Sequence, residues 1–238
     1  MRPFRAPSAV LVTLLASFAL AGCNLAESGD DALIIRGSAG SPAANAPERK
    51  PMGLPPGAST GNPASISIDL YALYLGTSPD CTDLVLVDDY GATPNTVDLV
   101  DGPVLFSSNP PSGSYGCIAF RMSDLVRVRP ATTFGSCEAG VEYTSDIYRD
   151  GQTDLLDVDG NSIIGHGSDD APADDQVTIF LSRDPSAAEG HGWSTHQIIA
   201  LGSDLVVPGT STFYWNGDNT IVSTEGHCGA SPGQPAFQ

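Results

Sequence analysis

Lysine is all but missing from this chain. Of its 238 residues one is a lysine, Lys50, and from residue 65 onward five arginines face 24 aspartates and glutamates. A surface of that sign repels nucleic acid phosphates and anionic lipid headgroups, so nucleic-acid binding is excluded as a function class. The same acidity also keeps an exported protein soluble. No C-x-x-C pair occurs, so zinc ribbons and dithiol redox chemistry lack their ligand spacing. No H-E-x-x-H occurs either, and no segment sustains a helical period, which argues against bundles and α/β folds. The long apolar run, residues 9–21, is shorter than the ~20 residues a membrane span needs.

What is present begins with targeting. Arg2 and Arg5, the apolar run and small residues before Cys23 have the order of a secretory signal over residues 1–22. Leu20-Ala21-Gly22-Cys23 resembles the bacterial lipobox. That resemblance implies that Cys23 is diacylated and becomes the acylated mature amino terminus, tied to a membrane through its lipid. By the same resemblance Asn24, where an aspartate retains lipoproteins in the inner membrane, favours the outer membrane of a Gram-negative envelope. Residues 23–64 are rich in glycine, proline, alanine and serine and have no period. Too little apolar surface is there to offset chain entropy, so a disordered tether with a reach of roughly 35 Å is expected. Ala32-Leu33-Ile34-Ile35 is its one apolar island, read as incidental or as a membrane-proximal contact.

Residues 65–238 are enough for one domain with a real core. Four cysteines fall there, Cys81, Cys117, Cys137 and Cys228. An even number in an exported chain predicts two disulfides in one of three pairings. A strand running from Cys117 to residue 128 would span roughly 36 Å, which counts mildly against Cys117 with Cys137; spacing takes the pairing no further. Strands are expected at 65–75, 84–87, 96–100, 104–106, 115–128, 141–148, 176–182, 198–207, 212–216 and 220–224. A hairpin is expected at 155–158 and 162–165, turned by Asp159-Gly160-Asn161, and another turn at Gly217-Asp218-Asn219 joins the last two strands. Both faces of 65–75 are apolar, which marks an interior strand. About ten short strands with frequent turns predict an all-β sandwich.

Val97-Asp98-Leu99, Leu105-Phe106 and Gly113-Ser114-Tyr115-Gly116-Cys117-Ile118 resemble a family of uncharacterised bacterial lipoproteins with transthyretin-like or immunoglobulin-like β-sandwich domains. The resemblance covers residues 66–128 and implies a fold; no catalytic residues come with it. Cys117 departs from the family pattern and, with the cysteines after it, implies a disulfide-bearing subgroup.

Candidate chemistry is thin. Asp157-Val158-Asp159-Gly160-Asn161 suggests a calcium loop, but aligning Gly160 with the loop's glycine puts Leu155 first and His166 last, where acidic ligands are needed. Asp169, Asp170, Asp174 and Asp175 form a denser acidic loop and are the calcium candidates, against a solvated connection. Gly229-Ala230-Ser231-Pro232-Gly233 matches a hydrolase motif by letter, yet Pro232 lacks the N–H that must face the oxyanion. His166, His191, His196 and His227 all lie in or beside glycine-rich loops, without metal-ligand spacing. Trp193, Phe213, Tyr214 and Trp215 are candidates for stacking on sugars, against core packing. The expectation is a non-enzymatic envelope lipoprotein acting as a binding or structural module, with an unknown protein or glycan ligand and no cofactor other than the calcium that the acidic loop could take. An accessory subunit of an envelope complex and an envelope hydrolase are the alternatives.

Overall fold

The computed structural model describes residues 32–40, 57–146, 155–163, 176–195, 197–215, 217–230 and 236–237. In chain order the first strands are β1 (Leu33–Ser38), β2 (Ser59–Gly61), β3 (Pro63–Gly76), β4 (Val85–Asp89), β5 (Asn95–Asp98) and β6 (Val104–Ser108), with a 3-10 turn at Leu99–Asp101. Then follow β7 (Gly113–Tyr115), β8 (Cys117–Ser123), β9 (Leu125–Pro130), β10 (Tyr143–Asp146), β11 (Leu155–Leu156), β12 (Ser162–Ile163) and β13 (Gln176–Ser182). After one short helix, α1 (Pro185–His191), come β14 (Ile198–Ala200), β15 (Leu205–Val207), β16 (Gly209–Tyr214), β17 (Ile221–Thr224), β18 (His227–Ala230) and β19 (Ala236–Phe237).

The larger sheet is built on β3. Fourteen residues long, it pairs along one edge with β9 and then β8, and along the other with β5 and then β4. Beyond β8 the sheet continues through β13 to β14, and beyond β9 to β10. Isoleucines and tyrosines favour the pleated backbone, but alternation fails in mid-strand for a structural reason. The β3–β8 register shifts between Leu70 and Ala72, so Ile66, Ile68 and Leu70 face the core before the bulge and Leu73 and Leu75 after it.

The second sheet has the order β19-β16-β1-β6, with β1 parallel to β16 and antiparallel to β6. Its Leu33, Ile35, Leu105, Phe106 and Phe213 meet Ile68, Leu70, Leu73, Phe120 and Met122 of the large sheet in one apolar layer. A line of rings crosses that layer: Tyr90 to Phe106 at 5.7 Å, Phe106 to Phe120 at 5.5 Å, Phe120 to Phe213 at 5.4 Å and Phe213 to Trp215 at 6.2 Å. Each such contact adds about 0.5–1.5 kcal/mol beyond the area it buries. The architecture is therefore the all-β sandwich that the strand pattern predicts.

A smaller cluster covers the other face of the large sheet. Phe180 stacks on Trp193 at 4.5 Å, with Cys81, Cys117, Ala119 and Ala188 around them. Trp193 is held by a 3.0 Å hydrogen bond from its indole N–H to the Asp80 carbonyl. Buried Gln197 clamps β11 to β13, donating to the Leu156 and Thr178 carbonyls and accepting from the Leu156 N–H.

Five expectations are corrected, among them the strand expected at 198–207, which bends at 202–203 into two strands of different sheets, β14 beside β13 and β15 beside β7. The tether assigned to residues 23–64 is structured at Leu33–Ser38 and Ser59–Gly61, and Leu33 and Ile35 are fully buried between β16 and β6. The apolar island is a core strand. The strand expected over 115–128 is three, broken at Gly116, where a Cβ would lie 3.0 Å from the Thr77 carbonyl, and at buried Asp124, where the Ser123 hydroxyl caps the Leu125 N–H. The turn at Gly217-Asp218-Asn219 does not close a hairpin: β16 pairs with β1 and β19, whereas β17 pairs with β2 and β18. A turn sequence fixes a change of direction, not a partner. Finally, α1 exists because Asp184 caps the Ala187 N–H, Pro185 opens the helix and Gly192, at φ 117°, closes it.

A protein beginning at residue 65 lacks β1 and leaves β16 and β6 without their shared neighbour. It is expected to show no cooperative urea transition, whereas one beginning at residue 32 unfolds cooperatively, as followed by near-ultraviolet circular dichroism. In the full chain, Ile35→Ala is expected to cost about 2–5 kcal/mol.

Candidate functional site

The four domain cysteines form two disulfides, Cys81–Cys117 and Cys137–Cys228, with Cα separations of 5.3 and 5.0 Å. The first ties the 77–84 turn to the start of β8, and the second ties the 131–140 loop to β18. Cys23, the candidate calcium ligands Asp169, Asp170, Asp174 and Asp175, His166, His196 and residues 231–233 lie outside the described residues. His191 ends α1 and His227 opens β18, on different elements. Phe213 and Trp215 share the inward face of the small sheet, as alternation predicts, and both are buried, as is Trp193. These rings are core and present no platform to a sugar; Tyr214 alone of the four is half-buried.

The carboxylates are mostly spent as acceptors. Asp83 accepts from the Thr77 and Ser78 N–H groups, both near 3.0 Å, and from the Thr77 hydroxyl. Gly76 permits this approach, since a Cβ there would lie 2.6 Å from Asp83 Oδ1. Asp80 accepts from the hydroxyls of Ser78 and Thr82. Asp157 closes the β11–β12 hairpin by accepting from the Asp159 and Asn161 N–H groups and from the Asn161 side chain, which is the work that its Asx-type turn requires and not a cation loop. Burial would raise the carboxyl groups of Asp83 and Asp157, but these donors outweigh it and hold both below the ordinary value; at Asp80 the Ser78 and Thr82 hydroxyls dominate in the same direction.

Asp69 is the most enclosed of these groups. Arg127 grips it with two nitrogens, at 2.9 and 2.7 Å, and the Thr96 hydroxyl donates to it as well. It is 8% exposed, at the point where β3 is flanked by β5 and β9. Burial pushes its carboxyl up, and the Arg127 and Thr96 contacts more than reverse that, so the net displacement is downward from 3.8. Among the described residues, no group of three or more His, Cys, Asp or Glu side chains could hold a metal.

Among the described residues the β4 margin of the large sheet, which approaches β6, is an exposed strand edge. Ala72 of β3 stands opposite both Asp89 of β4 and Arg121 of β8, and its small side chain lets Arg121 reach over it to Asp89 at 3.2 Å. Tyr74 lies beside them, half-buried; burial raises its phenol, with the Arg121 charge opposing and those of Asp89, Asp159 and Asp157 adding. Asp88 is the carboxyl that is pushed upward, by burial with the Asp89 charge adding. Val85 and Leu86 point to opposite faces of β4, yet they are 64% and 47% exposed. The strand's first half therefore overhangs the sandwich.

Other margins of the large sheet are covered. Helix α1 packs on β14, and β18 lies on β10, where the Ala230 N–H donates to the Ser145 hydroxyl at 2.6 Å. Beside β5, the Tyr90 hydroxyl and the Asn95 amide both donate to the Leu105 carbonyl of β6, at 2.8 and 3.4 Å. The overhang was not legible in the sequence, because Leu84-Val85-Leu86-Val87 reads as an ordinary strand.

No protein-family model, curated protein or solved structure matches this chain.

Asp69 has a folded-state affinity for protons below its unfolded value, so its contribution to stability is complete above pH 3.8 and is lost as pH falls through the depressed folded value. Asp69→Asn is expected to flatten that acid limb. Its cost near neutral pH is expected to be about 2–3 kcal/mol, less than the ~3–5 of a fully dry pair because Arg127 keeps solvent contact. Urea denaturation across the acid range reads both quantities.

Proposed function

We propose that this protein is a lipid-anchored, non-enzymatic binding module of a Gram-negative envelope, which takes up an extended segment of a partner protein along β4. The observation that carries the reading is the overhanging edge, with Val85 and Leu86 exposed and, among the described residues, β3 as the strand hydrogen-bonded to β4. A strand margin of this kind offers main-chain hydrogen bonds and alternating side-chain contacts to an added strand. Charge selects the partner. Asp83, Asp88 and Asp89 flank the edge, Asp157 and Asp159 lie near Tyr74, and residues 65–238 contain no lysine. A second copy of the chain would bring like charges together, whereas a lysine- or arginine-bearing segment complements them. The two disulfides fit an oxidising compartment, and the lipobox resemblance at Cys23 supplies the anchor. In this reading the protein serves as an accessory subunit whose partner completes the sheet.

The test combines a defined probe with native membranes. A blocked peptide of alternating valine and lysine is expected to bind the domain in a salt-sensitive way, and its glutamate counterpart is not. Val85→Lys with Leu86→Lys, at exposed positions, is expected to weaken the valine–lysine peptide by about tenfold or more, or ~1.4 kcal/mol. Cross-linking in native membranes is expected to recover one partner with the parent protein and to lose it with the double variant. Equal binding of both peptides, or recovery unaffected by the two lysines, would sink the assignment to β4.

A further inference from the structure

The burial of β1 changes the length of the leash. Nine residues separate Cys23 from Leu33, so fully extended chain from Cys23 to Ala32 covers at most roughly 30 Å. A compact body of this size has a radius of gyration near 16–17 Å and is roughly 40 Å across. The leash is therefore shorter than the particle it holds. A domain on such a leash cannot roll to bring its far end to the bilayer, and the end where β1 enters stays within roughly 30 Å of the surface.

That end is identified by its partners. The Gly209 N–H donates to the Ala32 carbonyl at 3.2 Å, Leu33 stands opposite Gly209 and Ser108, and β15 pairs with β7 through Val207 and Gly113. The exposed residues there are Asn109, Pro111, Ser112, Ser114, Val206 and Pro208, with Val206 at 59%. In a chain of net charge −18, residues 102–120 and 205–217 contain no Asp, Glu, Lys or Arg. The nearest acidic group, Asp204, accepts from the Ser114 hydroxyl at 2.9 Å and lies 3.5 Å from Arg183. The turn bearing Asp80 and Asp83 borders this end on the large-sheet side, which confines the neutral patch to the small-sheet side.

Resting on the lipid-anchored reading above, we propose that this charge-free patch, residues 108–114 with 206–208, is a lipid contact surface that lies on the membrane holding Cys23. Elsewhere the molecule's acidity repels anionic headgroups; here the patch itself is uncharged, and the carboxylate at its margin, Asp204, is paired with Arg183. Val206 sits at the interface, and the acyl chains supply the affinity while the patch sets the orientation.

The full lipid-modified protein in phosphatidylethanolamine and phosphatidylglycerol vesicles provides the test. Its native tryptophans, Trp193 and Trp215, are buried, so a reporter added at the surface is readily distinguished by difference. Val206→Trp, with Ser112→Trp as a second variant, is expected to lose most of its added emission when lipids brominated near the top of the acyl chain are used. Val141→Trp, exposed near the Pro130 end of the large sheet, is expected to lose none. Equal quenching at both ends, or none at residues 206 and 112 while mass spectrometry finds Cys23 acylated, would overturn the proposal and leave the anchor standing. An unmodified Cys23 would overturn the anchored reading itself, and this proposal with it.

Discussion

Everything in this fold is referred to β3, because both of its edges are occupied along most of its length. Four strands hydrogen-bond to it, and their order along it fixes where each loop leaves the sheet. The bulge at Leu70–Ala72 lets one strand serve two faces, giving isoleucines and leucines to the main core while Tyr74 packs against the cluster under α1. The Asp69–Arg127 pair sits on this strand at the branch where β5 and β9 approach from opposite sides. Its two parallel hydrogen bonds specify the relative position of β3 and β9 in a way that apolar contacts, which are non-directional, do not.

The second sheet is assembled from segments far apart in the chain: β1 near the start, β6 in the middle, and β16 and β19 near the end. Such pairing is costly in loop entropy before it is rewarded. The Cys137–Cys228 bond, closing a separation of 91 residues, offsets part of that cost by tying the closing region of the chain to the 131–140 loop. The same loop is fixed by the Ser136 N–H donating to the Ser223 hydroxyl at 2.6 Å and the Ser136 hydroxyl donating to the Thr224 carbonyl at 3.0 Å. Disulfide and hydrogen bonds thus hold the three-stranded group of β2, β17 and β18 against the large sheet.

Local pattern carried the reading where the structure is local. The apolar runs of residues 65–75 and 176–182 and the Asp-Gly hairpin at 157–161 are set by neighbouring residues, and β3, β13 and the β11–β12 turn follow them closely. It failed where position in space decides. Leu33-Ile34-Ile35, isolated in a glycine- and proline-rich stretch, has no neighbour in sequence to reveal that β16 and β6 bury it. Gly217-Asp218-Asn219 turns the chain, but only the prior claim of β1 on β16 sends β17 to another sheet. The signature of α1 was available in Asp184, Pro185 and Gly192, though seven residues are too few for a helical period to emerge. The exposure of Val85 and Leu86 had no sequence signal at all, because strand composition says nothing about which half of a strand overhangs.

The excess of carboxylates has a structural logic that bears on function. Side chains that only accept hydrogen bonds suit turns, where backbone N–H groups point inward and need partners, and Asp80, Asp83, Asp98 and Asp157 each take that role. At Asp80, Asp83 and Asp157 these donors hold the carboxyl below its ordinary value, so the charged form is favoured. The acidic residues of the described domain therefore act twice, once as turn locks and once as a field of one sign around the sandwich. Within that field of one sign the described sandwich sets two exceptions apart: β4, whose Val85 and Leu86 are exposed, and residues 102–120 and 205–217, which contain no Asp, Glu, Lys or Arg.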